Sequence, residues 1–314
     1  MPAPDPAHPA PRTWTHGGSV FPARALPPGL HVVATPIGNL GDITLRALAT
    51  LAAADMILAE DTRMARRLSE HYGIVTRARR FDAHASPAQI AVILREIAAG
   101  AAYALISDAG TPLVSDPGST LVRQAVEAGL AVHPVPGSSA VLAALVVAGL
   151  PADRFFFEGF LPPKSGDRRR RLRQLAGVPG ALVFYEAPHR ILETLADLQA
   201  VLGDREAAAA RELTKLYETV IRGPLSAIAA HFQTEEPRGE FVLVISQPEE
   251  AAEADESAIE RTLTALMQTM SVKDAAAVAA GELGLPKREV YARALRLADQ
   301  TSRVAKTSLV GQPK

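Results

Sequence analysis

The chain has 314 residues, a formal net charge of −1, 48% hydrophobic and 21% charged residues, and no cysteine. That length gives room for two cores, and the missing cysteine excludes disulfides, thiolate metal sites and a cysteine nucleophile. A near-neutral balance means that any nucleic-acid contact must come from a local basic patch. A reducing cytoplasm is compatible with this composition and is the expected location. The strongly apolar run 139–150 is too short to cross a bilayer, so no membrane attachment is expected.

Residues 1–28 are rich in Pro and Ala, lack the pattern of a signal peptide, and read as a disordered tail. A strand over 30–34 leads into the tight polar turn Thr35-Pro36-Ile37-Gly38-Asn39-Leu40-Gly41-Asp42. Asp42 or Thr44 caps the helix that follows to residue 54, on which Leu45, Leu48 and Leu51 share a face. The strand 56–59 ends in Glu60-Asp61-Thr62-Arg63. These charges fall where the carboxyl end of a sheet meets a ligand, and equally where Asp61 or Thr62 caps a helix beside a solvated Arg63. Residues 77–84 form a basic loop or short strand, and 87–99 a helix. A strand ending at Ile106 then breaks into Ser107-Asp108-Ala109-Gly110-Thr111-Pro112-Leu113-Val114-Ser115-Asp116-Pro117-Gly118. Gly110 and Gly118 allow positive φ or close approach of a ligand, and Pro112 and Pro117 fix the shape of the loop. A helix to 128 and a strand at 131–135 follow. Pro136-Gly137-Ser138-Ser139-Ala140 then opens a helix whose N–H groups can face a carboxylate or ribose. This alternation predicts a parallel α/β sheet with a ligand crevice at its carboxyl end.

Residues 151–154 read as a hinge into a second unit. A strand at 155–159 is followed by Phe160-Leu161-Pro162-Pro163-Lys164, and then by the arginine run Arg168, Arg169, Arg170, Arg171 and Arg173. Such a run is a solvated helix face or a phosphate-binding one. The strand 182–185 ends in Glu186-Ala187-Pro188-His189-Arg190, before a helix from Ile191. Residues 207–210 lead into Arg211-Glu212-Leu213-Thr214-Lys215-Leu216-Tyr217-Glu218. A helix near 225–232 and a last strand at 239–245 complete a sheet expected to be mixed. An acidic linker, 247–258, precedes helices at 257–270, 272–283 and 287–298, with a Gly-Leu-Pro turn between the last two in the outline of a helix-turn-helix. The expected divisions are therefore 1–28, 29–150, 151–248 and 249–314.

Several chemistries lack their motif. No Gly-x-Gly-x-x-Gly follows the first strand, no Gly-x4-Gly-Lys-Ser/Thr occurs, and no Gly-x-Ser-x-Gly is present. The eight histidines show no ligand spacing, so no metal is expected. What remains is a ligand held largely by backbone groups from several loops.

The ordered series at 35–42, 60–63, 107–118, 136–140, 159–164, 185–190 and 211–215 resembles the RsmI family of the tetrapyrrole-methylase superfamily. These are bacterial enzymes that methylate the ribose 2′-oxygen of a decoding-centre cytidine in 16S ribosomal RNA from S-adenosylmethionine. The resemblance covers roughly residues 30–247. It implies two α/β domains of the tetrapyrrole-methylase type with the cofactor cleft between them, plus a C-terminal helical extension. It further implies a homodimer whose partner is 16S rRNA, within the small ribosomal subunit. By the same resemblance the cofactor is held by Pro36, Asp108, Gly110, Thr111, Val114, Ser115, Ser138 and Ser139, and from the second domain by Glu186, Leu213 and Glu240. The chain has Gly110-Thr111-Pro112 where many superfamily members have Gly-Asp-Pro, a departure shared with the RsmI branch.

A ribose hydroxyl is a poor nucleophile, so a base or electrostatic activation is required. Glu60, Asp61, Lys164, Glu186 and Lys215 are the candidate groups, and a lysine would first need its pKa lowered. Glu60 and Asp61 are preferred as base or orienter, with Arg63 and Lys215 steering phosphate or ribose. RNA contacts are expected from Arg66, Arg67, Arg79 and Arg80, from Lys164, Arg168, Arg169 and Arg170, and from His189 and Arg190. Tyr185, His189 and Phe81 are candidates for stacking on a flipped base. Two other readings compete: a superfamily methylase acting on a tetrapyrrole or diphthamide precursor, and a non-enzymatic nucleic-acid-binding protein using the C-terminal helices.

Overall fold

The computed structural model describes residues 12–113, 118–248, 256–283 and 285–309, with backbone only at 256–258 and 299–309. The chain divides into two compact units, Met1–Gln247 and Pro248–Lys314. Part of the expected N-terminal tail is ordered: β1 (Thr13–His16) and β2 (Ser19–Pro22) form an antiparallel hairpin. Trp14 is the reason. Its ring stacks on Phe21 at 4.5 Å and is buried against the first sheet's helices, so ordering the segment removes a large apolar surface from water. Residues 1–11, the rest of that expected tail, lie outside the described residues.

Five strands form a wholly parallel sheet in the order β5-β4-β6-β3-β7. They are β3 (Gly29–Val33), β4 (Met56–Ala59), β5 (Ala78–Arg80), β6 (Ala102–Ile106) and β7 (Val132–Val135). Every residue of β6 is buried, as a central parallel strand covered on both faces requires. Helices α1 (Leu45–Ala53) and α2 (Thr62–His71) cover one face, and α3 (Pro87–Ala98) and α4 (Ser119–Glu127) the other. The caps follow from short polar side chains: Thr44 receives Ala47 N–H at 3.1 Å, and Asp61 receives Arg63 N–H at 2.8 Å.

The second sheet has the order β11-β10-β12-β9-β8 and is mixed, with only β8 and β9 parallel. Its strands are β8 (Phe155–Phe160), β9 (Ala181–Glu186), β10 (Glu206–Arg211), β11 (Thr219–Pro224) and β12 (Phe241–Ile245). Helices α6 (Ser165–Leu175), α7 (Ile191–Leu202) and α8 (Leu225–Thr234) pack on one face. The other face takes α5 (Ala140–Ala148), which comes directly from the first sheet. The apolar run at 139–150 is thus accounted for: α5 is buried against Ala208, Ala210, Val242 and Val244.

In the second unit, α9 (Glu256–Met267), α10 (Val272–Leu283) and α11 (Lys287–Leu309) close a small core around Leu263, Ala279 and Val290. Most of the expected linker lies outside the described residues. No helix among the described residues is long and apolar enough to cross a membrane.

Candidate functional site

Loops at the carboxyl ends of β3, β6 and β7 are braced to one another. Thr35 and Gly110 exchange backbone hydrogen bonds of 2.9 and 3.1 Å, and the Thr35 hydroxyl donates to Ser107 O at 3.3 Å. The Thr111 hydroxyl donates to Ser138 O at 3.1 Å, and the Ser138 hydroxyl to Asp42 O at 3.3 Å. Gly110 has φ +75°, and a Cβ there would lie 3.2 Å from Ile37, so this crossing needs glycine.

The facing wall comes from the loops after β9 and β10 and the entry to β12. Glu212 and Thr214 hold left-handed backbone, φ +50° and +66°, which costs on the order of 1–3 kcal/mol each in residues with a side chain. That strain is held by a small ionic network. The Glu212 carboxylate accepts from Glu240 N–H and from Lys215 Nζ, each at 3.0 Å, and Lys215 Nζ also reaches Glu240 at 3.0 Å. The Lys215 stem crosses Gly38 so closely that a Cβ there would collide with it, which ties this wall to the turn after β3. Burial alone would lower the Lys215 pKa, but the two carboxylates outweigh it and hold the ammonium above its ordinary value. A protonated Lys215 cannot be the general base.

Between these walls lies a cavity of about 360 Å³. Of the residues expected to hold a cofactor, Asp108, Gly110, Thr111, Ser139, Glu186, Leu213 and Glu240 line it. Pro36 and Ser138 do not, although their neighbours Ile37 and Ser139 do. Val114 and Ser115 lie outside the described residues. Sequence reasoning missed the apolar floor of Ala140, Ala210 and Val242, as well as Glu212 and the rim ring Phe160. Among the described lining residues, four carboxylates (Asp108, Glu186, Glu212, Glu240) face one cation, Lys215. Such a cavity suits a cationic ligand with an apolar part. Glu186 is also structural, since its buried carboxylate accepts from the Thr194 hydroxyl at 2.5 Å and from Ala187 N–H at 2.9 Å, and stands 3.4 Å from Arg190.

The Glu60–Arg63 segment adjoins the cavity through one hydrogen bond: Asp61 N–H donates to the Asp108 carboxylate at 3.0 Å. Asp61 caps α2 and receives the Arg63 guanidinium at 2.7 and 3.0 Å. The side-chain and backbone N–H groups of Arg63 hold its carboxyl down at about 2. Glu60 is half-buried at the end of β4.

One expected RNA contact is corrected. Arg168 is 1% exposed, because α6 turns Arg168, Leu172 and Leu175 inward together. Its guanidinium meets the buried Asp197 at 2.6 Å and Pro163 O at 3.1 Å, so it is a core ion pair that RNA cannot reach. Arg190 is partly buried, donating to Leu161 O at 2.8 Å and facing Glu186. Phe81 is 3% exposed and belongs to the core, so it is no stacking platform. Arg79 is paired with Glu96 at 3.1 Å, Arg80 with Asp82 at 2.8 Å and Arg66 with Glu70 at 2.6 Å. Arg169 shares Asp197 at 2.5 Å, and Arg170 pairs with Asp167. Arg67, Lys164 and His189 are exposed. Among the described residues there is no cluster of side chains able to hold a metal ion.

With this geometry established, comparison with known proteins is direct. Residues 29–229 match the family model for tetrapyrrole (corrin/porphyrin) methylases, and residues 253–298 match that for the RsmI C-terminal HTH domain. A protein of Mesorhizobium japonicum named ribosomal RNA small subunit methyltransferase I is 48% identical over 286 residues, covering 90% of this chain and 97% of that protein. Its namesake in Escherichia coli O157:H7 is 45% identical over 269 residues, covering 85% and 94%. The chain belongs to this methyltransferase family. Two solved structures share the fold. A diphthine synthase aligns with a TM-score of 0.55 at 16% identity, covering 69% of this chain and 89% of that one. The uroporphyrin-III C-methyl transferase of Thermus thermophilus complexed with S-adenosyl homocysteine aligns with a TM-score of 0.50 at 22% identity, covering 69% and 96%.

The geometry generates two predictions. Arg168→Ala removes the wholly buried partner of Asp197, which keeps Arg169 and Ser165, and should cost about 2–3 kcal/mol in urea unfolding; an RNA-contact role would leave stability unchanged. The Asp61 contribution is fully present above the ordinary value of 3.8 and is lost as the pH falls through about 2. Arg63→Gln should move the Asp61 titration seen by NMR back up toward 3.8, whereas an unmoved titration would assign the shift to the backbone cap alone.

Proposed function

We propose that this chain transfers a methyl group from S-adenosylmethionine to the ribose 2′-oxygen of a decoding-centre cytidine in 16S ribosomal RNA. It does so as a cytoplasmic homodimer acting on the small ribosomal subunit, with 29–150 and 151–248 as its two α/β halves and 249–314 as an extension. The observation that carries the reading is the acid-lined cavity between the two sheets, in a chain matched over nearly the whole length of rRNA methyltransferases. Four carboxylates suit a cationic cofactor, Leu213, Ala210 and Val242 suit an adenine, and the polar backbone of 108–111 suits the amino-acid end. Exposed Leu142, Val146, Leu216 and Tyr217 support a dimer, since apolar side chains of this size call for cover.

S-adenosylmethionine held in this cavity would supply an electrophilic methyl on sulfur, and the ribose hydroxyl that accepts it would give up its proton to a base. Lys215 is cationic and orders the Glu212–Glu240 wall. Asp61 is held as a weak base by Arg63 and orients the segment through Asp108. Glu60, next to Asp61 at the end of β4, is the carboxylate we assign to receive the proton. Labelled methyl from S-adenosylmethionine should appear on a ribose 2′-oxygen of one decoding-centre cytidine. Glu60→Gln should lower kcat about 100-fold or more with cofactor affinity kept. Subunits left unlabelled by a protein that binds the cofactor would overturn the substrate, and failure to bind it would overturn the whole reading.

A further inference from the structure

Phe160 is a large apolar ring left 58% exposed at the end of β8, an edge strand. Phe155 and Phe156 on the same strand are also exposed, but of the three only Phe160 lines the cavity. Its direction comes from an irregularity in the strand. The β8–β9 register shifts between Phe157 and Gly159, and Gly159 has φ +78°. In a regular strand residues 157 and 160 would point to opposite faces; one extra residue puts them on the same face. Both rings accordingly meet Tyr185 edge-on, at 4.9 Å for Phe157 and 5.6 Å for Phe160. A row of three aromatics thus runs from the half-buried Phe157 to the cavity rim.

The rim is stiff. Arg190 Nη2 donates to Leu161 O at 2.8 Å and to Pro162 O at 3.3 Å, which holds the residues just after Phe160 against the loop that follows β9. A cavity of about 360 Å³ is on the scale of one small-molecule ligand. A nucleotide that joins a cofactor there must keep its base at the rim, where the exposed Phe160 ring is on offer.

Resting on the RNA-methylating reading above, we infer that Phe160 is the platform on which the base of the methylated nucleotide stacks. Stacking holds the flipped nucleotide while its ribose enters the cavity, and makes Phe160 a positioning residue for the RNA rather than for the cofactor. The site is one that charge patterns do not reveal.

The test compares the wild-type protein with Phe160→Ala and Phe160→Trp, using small ribosomal subunits, S-adenosylmethionine calorimetry and sedimentation. In Phe160→Ala, kcat/KM for subunits should fall about 10- to 100-fold, the scale of one lost base stack. Cofactor affinity and oligomeric state should be unchanged, and Phe160→Trp should restore turnover. Unchanged turnover in Phe160→Ala would overturn the inference. So would a parallel loss of cofactor affinity, which would place the ring over the cofactor, or dissociation of the protein, which would place it in an interface. A wild-type protein that leaves subunits unlabelled would instead overturn the reading beneath.

Discussion

The packing of α5 on the alanine-rich face of the second sheet is the contact on which the site depends. Strand β10 carries four consecutive buried alanines, Ala207 to Ala210, and the pleat sends Ala208 and Ala210 toward α5. Small side chains there let Val141, Ala144, Leu145 and Ala148 approach closely and share one core with Val183, Val242 and Val244. The helix is capped by Ser139, next to Ser138 whose carbonyl accepts from Thr111, so this packing brings the first sheet's carboxyl-end loops to the strand ends of the second. Arg222 adds a polar tie, donating from Nε to Val147 O at 3.0 Å. A bulky residue at Ala208 would push the helix away and open the cavity without replacing any group that lines it.

The second constraint is charge. Glu212, Glu240 and Lys215 compensate one another, and in doing so stabilise left-handed backbone at Glu212 and Thr214 that would otherwise relax. The same lysine lies across Gly38, so an ion pair within one wall also secures the contact between walls. Because Lys215 is already neutralised, the remaining carboxylates leave the cavity net acidic, and a cation entering it gains what a neutral molecule does not.

Much of the fold was legible because its elements carry independent signals. Met56–Ala59 is a continuous apolar run closed by a charged cap, and α3 begins with Ser86 and Pro87 at its N-terminus, the Ser86 hydroxyl receiving Gln89 N–H at 3.2 Å. The glycine-rich loops were readable for the same reason: Gly110 and Ser139 do work that few other residues can do. The hairpin at Thr13–Pro22 was hidden in a stretch rich in Pro and Ala, where one Trp outweighs the composition around it. Strand β11, with Gly223 and Pro224 in six residues, shows no alternation and owes its existence to pairing with β10. Arg168 was legible in principle, since the spacing 168, 172, 175 puts it with two leucines, but the deciding partner, Asp197, is a helix away. Phe160 was not legible at all, because the register shift that turns it toward the cavity follows from pairing with β9.

The central claim is that the cavity between the two sheets is the cofactor site, and a crystal structure of the protein with S-adenosylhomocysteine tests it most directly. The account predicts density for one molecule per chain, with its apolar base against Leu213 and Val242 and its amino-acid end along 108–111. Density anywhere outside that cavity would contradict it.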